Sequence, residues 1–415
     1  MNGKVYWIWL SQVLGFGNRN IEQIIARFGS AKAVFDAAPE MRRECGLFSR
    51  EQLMRAQDGV TMDNTLKIAK RCDELRICVI TPEDELYPRR FLDICDYPAV
   101  IYYKGKMPQI DDNVVLAVVG TRYASKNGKQ IVAALTQSLA ESGVIIVSGG
   151  AKGIDNAAHI GTFSTQMPTV SILGCGLDAN YNMGCAGTRQ RILEQGGVLM
   201  SEFPPGYGAT KYTFPIRNRL LSAISLGVIV GEGAIKSGSL ITASRALEQG
   251  KDIFAIPGDV MSELSQGPNQ LIRDGAKPVT CAYDVLEEYT SRYPHRISVR
   301  NSQMSIAEIA HGTHEYIDSM AADSYTYVRT NLSVLEKKKP SPDRSRKLRQ
   351  CSLPEGASEN AEKVYNQLLK GAVNLDELQA VLGLSASEVL VAVTELEMDG
   401  IIRTDRQRNY QIREQ

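Results

Sequence analysis

At 415 residues with 43% hydrophobic content, the chain is too long for one ordinary globular domain and has the apolar material for two or three. Its 47 Lys and Arg balance 47 Asp and Glu, which excludes an overall basic field, so any polyanion site must be local. Eight cysteines lie scattered with no C-x-x-C pair, which argues against a zinc knuckle, a metal site or a thioredoxin-type centre and fits reduced thiols in a cytoplasmic protein.

The apolar start, Met1 to Leu10, carries Lys4 and two tryptophans and runs into a glycine-rich turn, so it is not read as a signal peptide. No apolar run reaches the roughly 18 residues of a membrane helix, and no membrane contact is expected. Residues 1–75 read as a small helical module, with Ile21, Ile24, Ile25 and Phe28 at helical spacing. Its Leu14-Gly15-Phe16-Gly17 turn resembles a degenerate helix-hairpin-helix, which can offer N–H groups to a phosphate but reads better as scaffold. From Ile77 to Met107, β-rich pieces broken by Pro82, Pro88 and Pro98 suggest a connecting extension into the main domain.

From Val114, buried-type strands alternate with helical segments, the pattern of a parallel sheet covered on both faces. Strands are predicted over Val114–Val119, Val144–Ser148, Thr169–Leu173, Val198–Ser201, Leu226–Val230 and Ile253–Ile256. Helices are predicted near Lys129–Ser142, Asp155–Phe163, Thr188–Gln195, Arg217–Ser225, Leu240–Gln249 and Ala282–Tyr289. The fold class is α/β: a Rossmann-like doubly wound, mainly parallel sheet over 76–290, with its ligand cleft at the strands' carboxyl ends. Residues 291–358 turn polar, and Lys337 to Arg349 (KKKPSPDRSRKLR) reads as a basic linker. Residues 359–415 carry three predicted helices and a hairpin, Ile401 to Ile412, suggesting a winged helix. Its third helix, Ala386 to Asp399, has Glu388, Glu395, Glu397 and Asp399 and no Lys or Arg, so phosphates would repel it and a protein contact is expected. Arg403, Arg406 and Arg408 on the wing leave a case for DNA.

Three phosphate-friendly turns follow the first, second and fifth strands. Gly120-Thr121-Arg122 pairs an unobstructed backbone with a guanidinium that can grip phosphate through two hydrogen bonds. Ser148 to Asp155, containing Lys152 and Gly153, opens a helix whose dipole favours an anion. Lys236-Ser237-Gly238-Ser239 with Thr242 opens another. Phe214-Pro215-Ile216-Arg217-Asn218-Arg219 sets an aromatic ring beside two arginines, a combination that holds single strands without reading sequence. The bland reading is that the glycines and serines only shape tight turns, with Phe214 in the core and the arginines solvated. No Walker spacing, complete dinucleotide fingerprint, H-E-x-x-H or G-x-S-x-G occurs, and His159 reads as a helix-packing residue, so no catalytic residue and no cofactor are assigned. The rival is a nucleotide phosphoribohydrolase of the lysine-decarboxylase-like group, for which Glu232 is the one comparable acid, or a nucleotide sensor on the same fold.

The ordered blocks Val118 to Arg122, Ser148 to His159, Leu173 to Asp178, Ser201 to Gly206, Phe214 to Arg219, Ser237 to Thr242, Ala255 to Gly258 and Asn269 to Ala276 resemble the DprA/Smf (DNA-processing protein A) family. The flanking modules are similar too, since members often carry an N-terminal domain of sterile-alpha-motif type and a C-terminal winged helix. The resemblance implies a homodimeric protein that binds and protects single-stranded DNA and loads the RecA recombinase in natural transformation. It places DNA at Arg122, Lys152, Phe214, Arg217, Asn218, Arg219 and Ser237 to Ser239. The chain departs from the family pattern at Gly150-Ala151-Lys152, where members usually have Leu-Ala-Arg, and after Asp178, where Tyr181-Asn182 and a Gly-rich piece replace Tyr-Pro.

Overall fold

The computed structural model describes residues 3–179, 185–300, 302–304, 306, 358–369, 375–398, 401–404 and 410–412. They fall in two compact units, Met1–Val334 and Leu335–Gln415. The linker centre 337–349, the wing residues Arg406 and Arg408 and the segment 180–184 lie outside the described residues.

The first unit opens with α1 (Lys4–Leu14), α2 (Ile21–Phe28), α3 (Ala31–Asp36), α4 (Pro39–Glu44), α5 (Arg50–Met54) and α6 (Met62–Glu74). Ser30, Ser49 and Thr61 each accept a first-turn N–H, which fixes where α3, α5 and α6 begin. Nine strands follow among the described residues: β1 (Cys78–Ile80), β2 (Ile101–Gly105), β3 (Val115–Val119), β4 (Ile145–Ser148), β5 (Thr169–Leu173), β6 (Val198–Ser201), β7 (Gly227–Val230), β8 (Asp252–Ala255) and β9 (Lys277–Pro278). They form one sheet in the order β1-β2-β6-β5-β4-β3-β7-β8-β9. From β6 to β9 every neighbour is parallel, whereas β1 on β2 and β2 on β6 are antiparallel. The segment expected only to connect thus supplies the sheet's antiparallel margin. Each of the six expected strands appears within one residue of its predicted bounds.

Side chains of β3 alternate between two cores. Val115, Ala117 and Val119 join the cluster with Leu220, Leu221 and Ala243, while Leu116 and Val118 join that with Val132, Leu135 and Ala157. One face is covered by α7 (Lys126–Glu141), α8 (Ile154–Thr162), α9 (Ala186–Glu194) and α13 (Tyr283–Leu286), and the other by α10 (Thr213–Ile224), α11 (Gly238–Glu248) and α12 (Glu263–Arg273). The fold is a Rossmann-like doubly wound sheet. Helix α12 was not anticipated, because Gly267 and Pro268 mask its period. Gly267 donates its N–H to Gly233 O (2.9 Å) and Pro268 has none to give, so the helix tolerates both where its ladder is already diverted. Packing also runs past the expected boundary at 290, since Tyr293 and Ile297 lie on the core and Ile306 is buried.

The helical module shares a continuous core with the sheet: Trp7, Trp9, Leu10 and Ile24 belong to the same cluster as Tyr102, Val119 and Leu220. Its glycine turn serves as scaffold. Phe16 packs on Phe203 and Tyr207 (ring centroids 4.6 and 5.2 Å apart), and the Gly17 N–H donates to the Glu202 carboxylate. Beneath it, Arg219 Nη2 donates to both Glu202 oxygens (2.7 and 2.8 Å), and its Nε lies 3.5 Å from Asp96. At the outer margin, Lys4 Nζ donates to Val79 O and pairs with Asp84, both at 2.7 Å.

In the second unit, α14 (Glu359–Leu368), α15 (Leu375–Leu382) and α16 (Ala386–Met398) precede the antiparallel pair β10 (Ile402–Thr404) and β11 (Tyr410–Ile412). Val364, Leu378, Val393 and Ile402 fill its core, making a winged helix. Glu388 accepts from Ser385 (2.8 and 2.6 Å) and Glu395 from Ser358 (2.8 and 2.6 Å), so two of the acids on the third helix hold the domain's own turns.

Burial pushes the Glu202 carboxyl up from its ordinary range, and Arg219 pulls it back. Arg219→Met therefore leaves a buried acid without its partner. It is expected to cost about 3–5 kcal/mol in urea unfolding; a loss below about 1 kcal/mol would remove the pair from its assigned role.

Candidate nucleic-acid interface

The chain winds outward from β3 through β4, β5 and β6 on one face, then returns by α10 to β7 on β3's other side. That reversal parts the loops above the carboxyl ends of β3 and β7, where open α/β sheets hold ligands. A crevice of about 390 Å³ lies there. Of the expected contact residues, Gly120, Arg122, Phe214, Arg217, Asn218, Ser237, Gly238, Ser239 and Thr242 line it together. Tyr123, Ala151 and Asp155 line it too and had not been singled out as contacts.

These residues do different things. Arg122 is exposed, and its guanidinium lies over the half-buried Phe214 ring, 4.4 Å from the centroid. Arg217 is buried: Nη1 donates to Ile172 O (2.6 Å) and Nε to Asn218 Oδ1 (3.0 Å). A Cβ at Gly149 would come within 1.8 Å of Nη1, so only glycine lets that guanidinium through. Asp155, buried beside it, accepts from Ala151 N–H (3.4 Å). Burial raises its carboxyl above the ordinary range, against the opposing pull of Arg217. Arg217 is thus a strut beneath the crevice that carries charge, and is not a free arm.

On the far wall, the Ser237 hydroxyl bonds that of Ser239 (2.7 Å) and does not cap α11. The first turn of α11 therefore lies at the crevice without a side-chain cap, and Gly238 has open space where a Cβ would stand. Gly120 is different. A Cβ there would fall 2.4 Å from Ile154 and 2.8 Å from Glu232 O, so its missing side chain serves loop packing, not the anion approach expected of it.

Lys152 and Gly153 sit in the neighbouring loop, outside the crevice lining. A Cβ on Gly153 would lie 2.2 Å from Thr121 O, which sets exposed Lys152 beside the Arg122 backbone. Lys236 is exposed and just precedes the lining. Arg219 does not reach it at all: its guanidinium is 5% exposed and faces Glu202 and Asp96, so the expectation of a DNA contact there is corrected to a structural ion pair.

Glu232 accepts from Ser125 N–H (2.8 Å) and Oγ–H (2.6 Å), and its own carbonyl accepts from Thr121 N–H (2.7 Å). It clips the loop after β3 to the end of β7 and is not part of the crevice lining. Among the described residues, no group of three or more His, Cys, Asp or Glu could hold a metal, and no helix is long and apolar enough to cross a membrane.

His159 is buried behind the crevice. Its Nδ1–H donates to Thr169 Oγ1 (2.8 Å), whose hydroxyl goes on to Ile146 O. Burial pushes its pKa down to about 3, so the folded protein keeps it neutral. Because the unfolded ring takes a proton near pH 6.5, the contribution is complete above that value and is lost as pH falls toward 3. Between pH 7 and pH 5, wild type should lose about 2 kcal/mol more than His159→Asn in urea unfolding; parallel losses would contradict the buried neutral ring.

Sequence and structure comparisons show which known proteins the chain is similar to. The family model described as DNA recombination-mediator protein A matches residues 78–290, and the DprA winged helix domain model matches 351–405. The DNA processing protein DprA of Streptococcus pneumoniae is 42% identical over 207 residues, covering 50% of this chain and 72% of that protein. Protein Smf of a Synechocystis species is 27% identical over 415 residues and 99% of both chains. The X-ray structure of DprA from Streptococcus pneumoniae superposes with a TM-score of 0.59 at 33% identity, covering 69% of this chain and 98% of that one.

Proposed function

This chain belongs to the DprA/Smf family of DNA-processing proteins, and on that premise we propose that its crevice grasps the backbone of single-stranded DNA without reading sequence. The observation that carries the reading is the Arg122 guanidinium laid over Phe214 at a crevice whose opposite wall is the uncapped first turn of α11. The ring holds the cation at the crevice, and the helix start adds N–H groups and positive potential. Lys152 and Lys236 extend the cationic rim on either side. A phosphate track of this kind needs no bond to be broken, and the acid that a hydrolase would need, Glu232, is engaged with Ser125.

The protein so read has no catalytic centre. It acts as a homodimer in the cytoplasm, shields incoming single strands and hands them to the RecA recombinase during natural transformation. The winged helix serves a protein contact, since its third helix carries acids and no Lys or Arg.

Arg122→Ala should weaken oligo(dT) binding roughly tenfold and lower the salt slope by about 0.7, as loss of one single-strand phosphate contact requires. Unchanged affinity and slope in a fluorescence-anisotropy salt series would sink the reading. Incubation with nucleoside monophosphates should release no base; release that Glu232→Gln abolishes would instead establish the hydrolase. Deleting residues 355–415 should leave single-strand affinity nearly unchanged, and a large loss would put the winged helix on DNA.

A further inference from the structure

Helix α16 of the winged helix carries two seams at helical spacing, and only one of them is used by the domain's core. Val389, Ala392, Val393 and Leu396 repeat at i, i+3, i+4 and i+7 and are buried. Ser387, Leu390, Val391 and Thr394 repeat the same interval on the opposite side and are exposed, Leu390 by 52% and Val391 by 67%. The Thr394 hydroxyl turns back onto its own helix, donating to Leu390 O (2.8 Å), so it adds little polarity to the outer seam. Single exposed aliphatic side chains are ordinary, but these two are neighbours on the face by which a winged helix ordinarily reaches its ligand.

The edges of the seam decide what can cover it. Helical geometry sets Glu388 and Glu395 along one edge and Glu397 along the other. Hydrogen bonds from Ser385 and Ser358 hold the first two carboxyls below their ordinary range, so both are charged at neutral pH. Across α14, α15 and α16 there are seven acids against one lysine, Lys363, which pairs with Glu359. Duplex DNA is disfavoured by that charge, and the seam lacks the long donors that read base edges. A second copy of α16 is disfavoured too, because packing seam on seam sets carboxylates against carboxylates. The pattern that fits is the inverse one, an apolar seam bordered by Lys or Arg. A convex helix offers no groove to an extended chain, and its counterpart is another helix packed alongside.

We propose that the outer seam of α16 docks a basic amphipathic helix of another protein, with Leu390 and Val391 as anchors and the bordering glutamates selecting Lys and Arg. From Ser387 to Thr394 the seam runs about two turns, or roughly 10 Å, so the contact is small and readily reversed.

This inference rests on the reading of the winged helix as a protein-contact module, and the experiment keeps the two apart. The full-length protein is titrated by fluorescence anisotropy with three labelled synthetic helices of equal length: a leucine seam with lysine edges, the same seam with glutamate edges, and a serine seam with lysine edges. Wild type should bind the first roughly tenfold more tightly than either of the others, from the burial of two aliphatic anchors and the sign of the edge charges. Leu390→Ser combined with Val391→Ser should bring the first helix down to the level of the third, with thermal unfolding unchanged because both positions lie outside the core. Glu397→Lys should narrow the preference for lysine edges. No wild-type binding of the first helix, undiminished binding in the double variant, or a preference that Glu397→Lys leaves untouched overturns the proposal. A drop in oligomeric state in the double variant assigns the seam to a second copy and equally overturns it. Equal binding of lysine- and glutamate-edged helices leaves a protein contact but removes the basic partner. A labelled duplex oligonucleotide is the fourth titrant: if wild type binds it and the double variant does not, the protein-contact reading itself fails and the docking face falls with it.

Discussion

The crevice depends on one buried cation. Arg217 lies under the rim loops, reaching from α10 to the carbonyl of Ile172 in β5, past Gly149 at the end of β4 and close to Asp155 at the start of α8. Elements from both faces of the sheet thus meet around a single guanidinium. Its charge is tolerable there because a carbonyl, an amide oxygen and a carboxylate surround it, and each of those groups would be unfavourable alone in the interior. The arrangement fixes the loops before any ligand arrives, which is the condition for binding an extended polymer without a large ordering cost.

Around that strut the work divides between residues that look alike in the sequence. Arg217 and Arg219 are two positions apart on α10, yet one stabilises the crevice floor and the other joins the helical module to the sheet through Glu202. Arg122 alone of the three arginines is exposed. Glycines divide the same way: Gly120 and Gly149 make room for neighbouring side chains, and Gly238 leaves open space.

Much of this was legible. Runs such as Val115 to Val119 have no polar alternation because both faces are covered, and glycine-rich turns after them mark the carboxyl edge. A cleft at the carboxyl ends and six of its lining residues followed from that pattern, and Phe214, Arg217 and Asn218 from the segment that joins a ring to two arginines. What escaped depended on distant partners. The antiparallel margin is set where β2, which carries β1, pairs with β6, far on in the chain. Whether an arginine is a contact or a strut depends on Glu202, Asp96 or Ile172, none of them its neighbour in sequence. Helix α12 was hidden by Gly267 and Pro268, whose local preferences argue against the state that tertiary contacts impose. Tyr123 gave a signal only in its place beside Arg122.

The two margins of the sheet bear on how copies of the chain can meet. At β1, the outward carbonyl of Val79 is already taken by Lys4. At β9, Val279 N–H turns inward to Ala255 O, which leaves Pro278 as the outward-facing residue, and proline has no N–H to give. Each rim thus has one ladder position blunted against a further strand. Contacts between copies made through side-chain surfaces can be tuned by single substitutions and reversed, where a continued ladder would tend toward open-ended fibres.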